Sequence, residues 1–196
     1  FKDYHGIQNF GSGWINSNYN LFWDNYIEDL NGLSYGDNDI IADPMFVKDT
    51  IPNAELDFDY HLQKYSPAID AGDPNILDRD GSRSDLGMFG GPGGEKYTYM
   101  DLAPKPPANI TAFYENKLVN LKWNRNTEAD FSYYRIYRDT VTNFIYDTTK
   151  IIGTTSDTTF SDNLPLNNTA KNYYYLITAL DSTGNQSVPG EEVTVM

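Results

Sequence analysis

The sequence predicts an all-β protein in two parts: a first half of short strands stacked as the coils of a solenoid, and a second half folded as an antiparallel sandwich. Three observations predict it. Strong helix formers are sparse while Asn, Asp, Gly, Pro and Thr abound. Apolar and polar residues alternate with period two along several second-half segments. Between the halves lie Gly90-Gly91-Pro92-Gly93-Gly94 and then Pro104-Lys105-Pro106-Pro107, a flexible patch followed by a stiff one. Only 39% of the 196 residues are hydrophobic, while 16 are Tyr, so the core is expected to be thin and rich in aromatic rings.

Along the first half, Asn20-Leu21-Phe22-Trp23, Ile40-Ile41-Ala42 and Phe58-Asp59-Tyr60-His61-Leu62 read as short strands separated by turn-rich loops. Such pieces suit coils that each bury an inward face on their neighbours. In the second half the buried faces read as Val119, Leu121 and Trp123, then Tyr134 and Ile136, then Tyr173, Tyr175, Ile177 and Ala179, then Val193 and Val195. Asn124 to Asn126, Asp162 to Pro165 and Asp181 to Asn185 read as turns between them. About seven short strands in about 95 residues is the pattern of an antiparallel β-sandwich. The expected division is residues 1–97, a linker at 98–107, and a second domain at 108–196.

From Pro106 to Val195 the chain resembles a fibronectin type III domain. Leu121-Lys122-Trp123 matches the second strand with its buried Trp, and Tyr134 to Arg138 matches the third. Tyr173 to Ala179 matches the sixth strand, and the turn at Asp181 to Ser187 resembles the bacterial version of the module. The resemblance implies that Trp123 and Tyr173 are core residues and that the Tyr173 hydroxyl bonds backbone near Leu164 to Leu166. Residues 20–92 resemble the C-terminal end of secreted bacterial right-handed parallel β-helix proteins, through the ordered blocks Ala42 to Val47, Asp59 to Leu62, Ser66 to Pro74 and Asp78 to Gly91. In that family further coils precede this segment and carry the active cleft, so the chain is expected to be the tail of a longer protein, secreted or at the cell surface.

Charge narrows the partners. The net charge is −14, most of it in the first half, which disfavours nucleic acid and anionic lipid, and no apolar run suits membrane insertion. There is no Cys, so thiol chemistry and disulfides are absent, and His5 and His61 are too few for a histidine-rich metal site. No catalytic residue and no cofactor is assigned. His61 reads as a strand residue whose ring bonds a neighbouring carbonyl or carboxylate.

Asp78, Asp80 and Asp85 are the candidate metal ligands, since Ca²⁺ accepts several oxygens from a flexible loop, but Gly81 is misplaced for an EF-hand. The favoured reading of this turn is structural, held by Asx turns and by Asp pairing with Arg79 or Arg83. Trp14, Trp23 and Tyr26 are the candidate glycan-binding aromatics, with Tyr114, Tyr133, Tyr137 and Tyr174 considered beside them. The expected function is a noncatalytic spacer or presentation portion of a secreted or cell-surface bacterial β-helix protein, a monomer. The alternatives are an accessory glycan-binding part of a polysaccharide lyase or glycoside hydrolase whose active site lies upstream, or a protein-adhesion module.

Overall fold

The computed structural model describes residues 5–25, 27–49, 58–164 and 172–195. The chain is all-β and divides into two compact units, Phe1–Leu102 and Ala103–Met196. Among the described residues no helix is long and apolar enough to cross a membrane.

In the first unit, β1 (His5–Gln8) runs parallel to β3 (Glu28–Asn31), with Ile7 opposite Leu30. Likewise β2 (Leu21–Phe22) runs parallel to β4 (Ile40–Ile41), with Leu21 opposite Ile40. Parallel strand pairs, among the described residues, are these two-stranded sheets, with one isolated parallel bridge between Gln63 and Met100; β5 (Phe46–Lys48) and β6 (Asp59–Leu62) pair antiparallel. The strands are short because Asn, Asp and Gly interrupt every apolar run.

Few apolar side chains are available for the interior, where Phe22, Leu30, Met45, Leu62 and Ala68 are buried. Polar groups complete it. Asp39 accepts from Ser17 Oγ at 2.5 Å, from the Asn20 N–H at 3.0 Å and from the Gly36 N–H at 2.8 Å, joining two loops far apart in sequence. Gly36 is required at this junction, since a Cβ there would lie 1.8 Å from the Ser17 carbonyl oxygen.

The second unit contains seven strands among its described residues: β7 (Thr111–Glu115), β8 (Leu118–Lys122), β9 (Phe131–Asp139), β10 (Ile151–Thr155), β11 (Thr159–Asn163), β12 (Tyr173–Asp181) and β13 (Val193–Val195). They form a four-stranded sheet in the order β10-β9-β12-β13 and a three-stranded sheet in the order β11-β8-β7. Asn116 and Lys117 link β7 to β8, both with positive φ (52° and 68°), the backbone twist that a two-residue hairpin needs.

The alternating residues meet between the two sheets as expected. Val119, Leu121 and Trp123 pack with Tyr134, Ile136, Tyr173, Tyr175, Ile177 and Ala179 in one cluster. Trp123 meets the Tyr134 ring edge-on at 5.1 Å.

Two local expectations are overturned. Tyr137 is buried rather than outward and ligand-facing, because the chain after β9 brings Phe144 and Tyr146 back over it and Leu176, making a second small core on the outer face of the sheet. Asp162 belongs to β11, opposite Val119, and not to a turn. Its carboxylate is buried and accepts from Arg138 at 2.8 and 2.6 Å and from the Tyr175 hydroxyl at 2.8 Å. Of the backbone expected to partner the Tyr173 hydroxyl, Leu164 to Leu166, residues 165 and 166 lie outside the described residues.

Candidate functional site

Among the described residues of the first unit, a connected polar group is built where β6 meets the segment 85–99. Strand geometry turns His61 toward Phe89, whose ring lies parallel to the imidazole at 3.9 Å, while Tyr97 packs edge-on at 4.5 Å. Nδ1 of His61 bonds Asp59 Oδ1 at 2.6 Å and Nε2 bonds Glu95 Oε1 at 2.6 Å. The Tyr97 hydroxyl accepts the Leu62 N–H at 3.2 Å, and the Tyr99 hydroxyl donates to Asp85 Oδ2 at 2.8 Å. The space enclosed by Asp78, Asp85, Phe89, Glu95, Tyr97 and Tyr99 is about 10 Å³, at the lower limit of the roughly 10–15 Å³ that one water molecule requires. The arrangement is a packed knot. With both ring nitrogens of His61 engaged by carboxylates, the imidazole is held as a pin between β6 and the 95–97 segment.

That pin titrates. Glu95 raises the His61 pKa above its ordinary value and Asp59 adds to this, together outweighing burial, while Asp59 is held below the usual carboxylate range by the His61 backbone N–H and ring. Because the folded pKa of His61 lies above the unfolded one, the stabilisation is fully present below about pH 6.5 and is lost as pH rises through the folded value. The expected result is a melting temperature of the first unit that falls across that window. His61→Gln should flatten the profile, and the imidazole resonances should titrate above about 6.5. A profile identical in the wild-type chain and in His61→Gln would remove the pin from the account.

The acidic turn is satisfied from within. Asp78 Oδ2 accepts the Asp85 N–H at 3.1 Å and its Oδ1 accepts the Gly91 N–H. Asp85 Oδ1 accepts the Asp70 N–H at 2.9 Å, and Asp80 Oδ1 accepts the Ser82 N–H at 3.0 Å and hydroxyl at 2.6 Å. Burial pushes the Asp85 carboxyl up, against the bonds from Asp70 and Tyr99.

The expected Asp–Arg pairs give way to arginine–carbonyl bonds. Arg83 donates to Gly72 O at 2.6 Å and Ala71 O at 3.2 Å, and Arg79 reaches Gly94 O at 3.5 Å. The backbone turns its carbonyls toward the guanidinium because the carboxylates already cap N–H groups of the turn.

The aromatic candidates separate. Trp14 is fully exposed, at 102%, on the rim of an open hollow of about 440 Å³ that includes Asn9, Ser12, Ile15, Leu33 and Ser34. Its loop is shaped by Asn9, whose Oδ1 accepts the Gly11 N–H at 3.0 Å and whose Nδ2 donates to Gly13 O at 3.2 Å. Trp23 is partly exposed, at 37%, and Tyr26 lies outside the described residues. Tyr114 is exposed on β7, whereas Tyr174 packs onto the second small core. Sequence reasoning had no signal for the partnership of Trp14 with Asn9 and Ser34, which come from different turns of the chain.

Fold and site together define an all-β protein whose second unit is a fibronectin type III-like sandwich. No protein-family model matches the chain. The chain is similar to an amylopullulanase from Thermoanaerobacter thermohydrosulfuricus, 34% identical over 91 residues that make up 46% of this chain and 6% of that protein. It therefore spans a small fraction of the length of the curated relative it matches. Among solved structures, an Fn3-like protein from Clostridium thermocellum is 24% identical with a TM-score of 0.40, covering 48% of this chain and 93% of that one. A pectate lyase from Erwinia chrysanthemi, solved with tetragalacturonic acid, is 20% identical with a TM-score of 0.37, covering 46% and 28%.

Proposed function

We propose that this chain is a noncatalytic accessory portion of a secreted or cell-surface bacterial protein that acts on polysaccharide. In this reading residues 1–97 are the terminal coils of a right-handed parallel β-helix, 98–107 the linker, and 108–196 a fibronectin type III module that spaces or presents what precedes it. The observation that carries the reading is the 34% identity to a stretch forming only 6% of an amylopullulanase, the proportion expected of one accessory module in a large enzyme. The β-helix part is supported by the parallel pairs His5 with Glu28 and Leu21 with Ile40, each spaced by roughly 20 residues, the length of one solenoid turn.

A second reading is favoured by Trp14. A fully exposed indole beside Asn and Ser groups suits a sugar ring, which stacks its C–H face while its hydroxyls bond the polar rim. The net charge of −14 favours a neutral glucan over a polyuronate.

One experiment tests both readings. The purified chain is incubated with pullulan, amylopectin and polygalacturonate, and reducing ends, unsaturated uronate and retardation in glycan-containing gels are measured. No turnover is expected. Retardation by the neutral glucans that weakens in Trp14→Ala by about 0.5–1.5 kcal/mol, up to roughly tenfold, supports the glycan contact; no retardation leaves the spacer role alone. Product release that persists through purification and disappears on changing one Asp to Asn in residues 1–97 would overturn the noncatalytic reading.

A further inference from the structure

The hollow beside Trp14 is built from two segments that leave neighbouring strands. β1 and β3 lie side by side in parallel, with Gln8 opposite Asn31, and the Asn9 N–H donates to the Asn31 carbonyl at 3.1 Å. The chain therefore departs from both strands in the same direction, and every residue that lines the hollow belongs to one of the departing segments, 9–15 or 32–34. No third segment closes either end. At about 440 Å³ the space falls within the roughly 300–1,000 Å³ of small-ligand sites, but with its ends open it is a trough and not a pocket.

The polar side chains of the trough are of two kinds. Asn9 is committed, because its amide closes its own loop on the Gly11 N–H and the Gly13 carbonyl. The Ser12 and Ser34 hydroxyls, one on each rim, form no hydrogen bond among the described residues. The remaining side chains, Trp14, Ile15 and Leu33, are apolar, and the Trp14 indole is fully exposed to water. No charged side chain lines the trough.

A ligand that matches this surface is uncharged, offers an apolar face to the indole and carries hydroxyls at its edges to meet the two serines. A pyranose ring of a neutral glycan meets all three conditions. The open ends add a fourth. Recognition of a chain terminus needs a wall that stops the chain, whereas a trough lets sugar units continue past the ring it holds.

We propose that this trough takes an internal stretch of a neutral glucan chain, one ring stacked on Trp14 with its hydroxyls held by Ser12 and Ser34, and that these two serines determine specificity. The inference rests on the reading of Trp14 as a glycan contact. It adds which part of the chain is bound and which side chains supply the polar contacts.

The test is retardation of the full chain in gels containing pullulan of two chain lengths at equal mass, so that the shorter preparation presents many more chain ends. Retardation should be no greater in the shorter pullulan. Ser12→Ala and Ser34→Ala should each weaken binding about two- to tenfold, the loss of one hydrogen bond, with an unchanged far-UV circular dichroism spectrum as the check on folding. Retardation that grows with the number of ends at equal mass, or that is unchanged in both serine variants, overturns this inference and leaves the Trp14 contact to be judged by Trp14→Ala. Absence of retardation in the parent chain removes the Trp14 contact and this inference together.

Discussion

Replacing Trp123 by Ala is expected to destabilise the sandwich by about 3–5 kcal/mol, the range for removing a buried aromatic side chain and leaving a cavity. Trp123 is 2% exposed and lies against Tyr134, itself fully buried, with its hydroxyl accepting the Asn126 N–H at 2.7 Å. The loss therefore reaches the chain after β8 as well as the intersheet core. Against a total stability of about 5–15 kcal/mol for a domain of this size, the change is enough to populate the unfolded state. Trp123→Phe should cost much less, because it keeps a ring against Tyr134 and leaves a smaller cavity. Urea unfolding of the whole chain measures both variants. A cost below about 1 kcal/mol for Trp123→Ala, with an unchanged denaturant slope, would show that the indole is not part of the packed interior.

Asp162→Ala is expected to rank beside it, at about 3–5 kcal/mol, because it removes one partner of a partly buried ion pair and leaves the other uncompensated. The side chains of Arg138 and Asp162 are 22% and 9% exposed, their bond is 2.6 Å, and the Arg138 guanidinium also lies 5.4 Å from the Tyr173 ring. Once the carboxylate is gone, that charge has the ring face and no anion. Tyr175→Phe removes only a hydroxyl that donates to Asp162 and should cost about 1–3 kcal/mol. Burial and the neighbouring Asp162 carboxylate push the Tyr175 phenol well above its ordinary pKa, so the protonated donor is the favoured form at neutral pH. Replacing Arg138 and Asp162 together by Leu should recover much of the loss, since a well-packed apolar pair is often as stable as a buried ionic one. A double-mutant cycle measures the coupling; additive effects would show that the pair contributes nothing beyond its separate contacts.

The two halves differ in how much of this was legible. In the sandwich, period-two alternation over Val119 to Trp123 and over Tyr173 to Ala179 named the inward face correctly, because each strand presents alternate residues to one side whatever its partners are. In the first unit the strands are two to four residues long, too short for alternation to set a register, and the interior depends on hydrogen bonds such as those of Asp39 with Ser17, Asn20 and Gly36. Asn and Asp in a loop read the same whether they face solvent or cap a distant backbone N–H.

The candidate sites divide along the same line. The acidic turn at Asp78 to Asp85 stood out in sequence because its carboxylates are close along the chain, and in the fold they are occupied with N–H groups of that same neighbourhood.

The sequence by itself determined the all-β class, the inward face of the sandwich strands, and the acidic surface that disfavours polyanionic partners, since composition and alternation are local properties that need no knowledge of neighbours. Only the tertiary structure decided that Tyr137 is buried under Phe144 and Tyr146, that Asp162 holds Arg138 inside a strand, and that His61 is locked between two carboxylates. Each of these depends on what a distant segment places against the residue, and burial, pairing and charge compensation are set by that neighbour and not by the residue's own position in the chain.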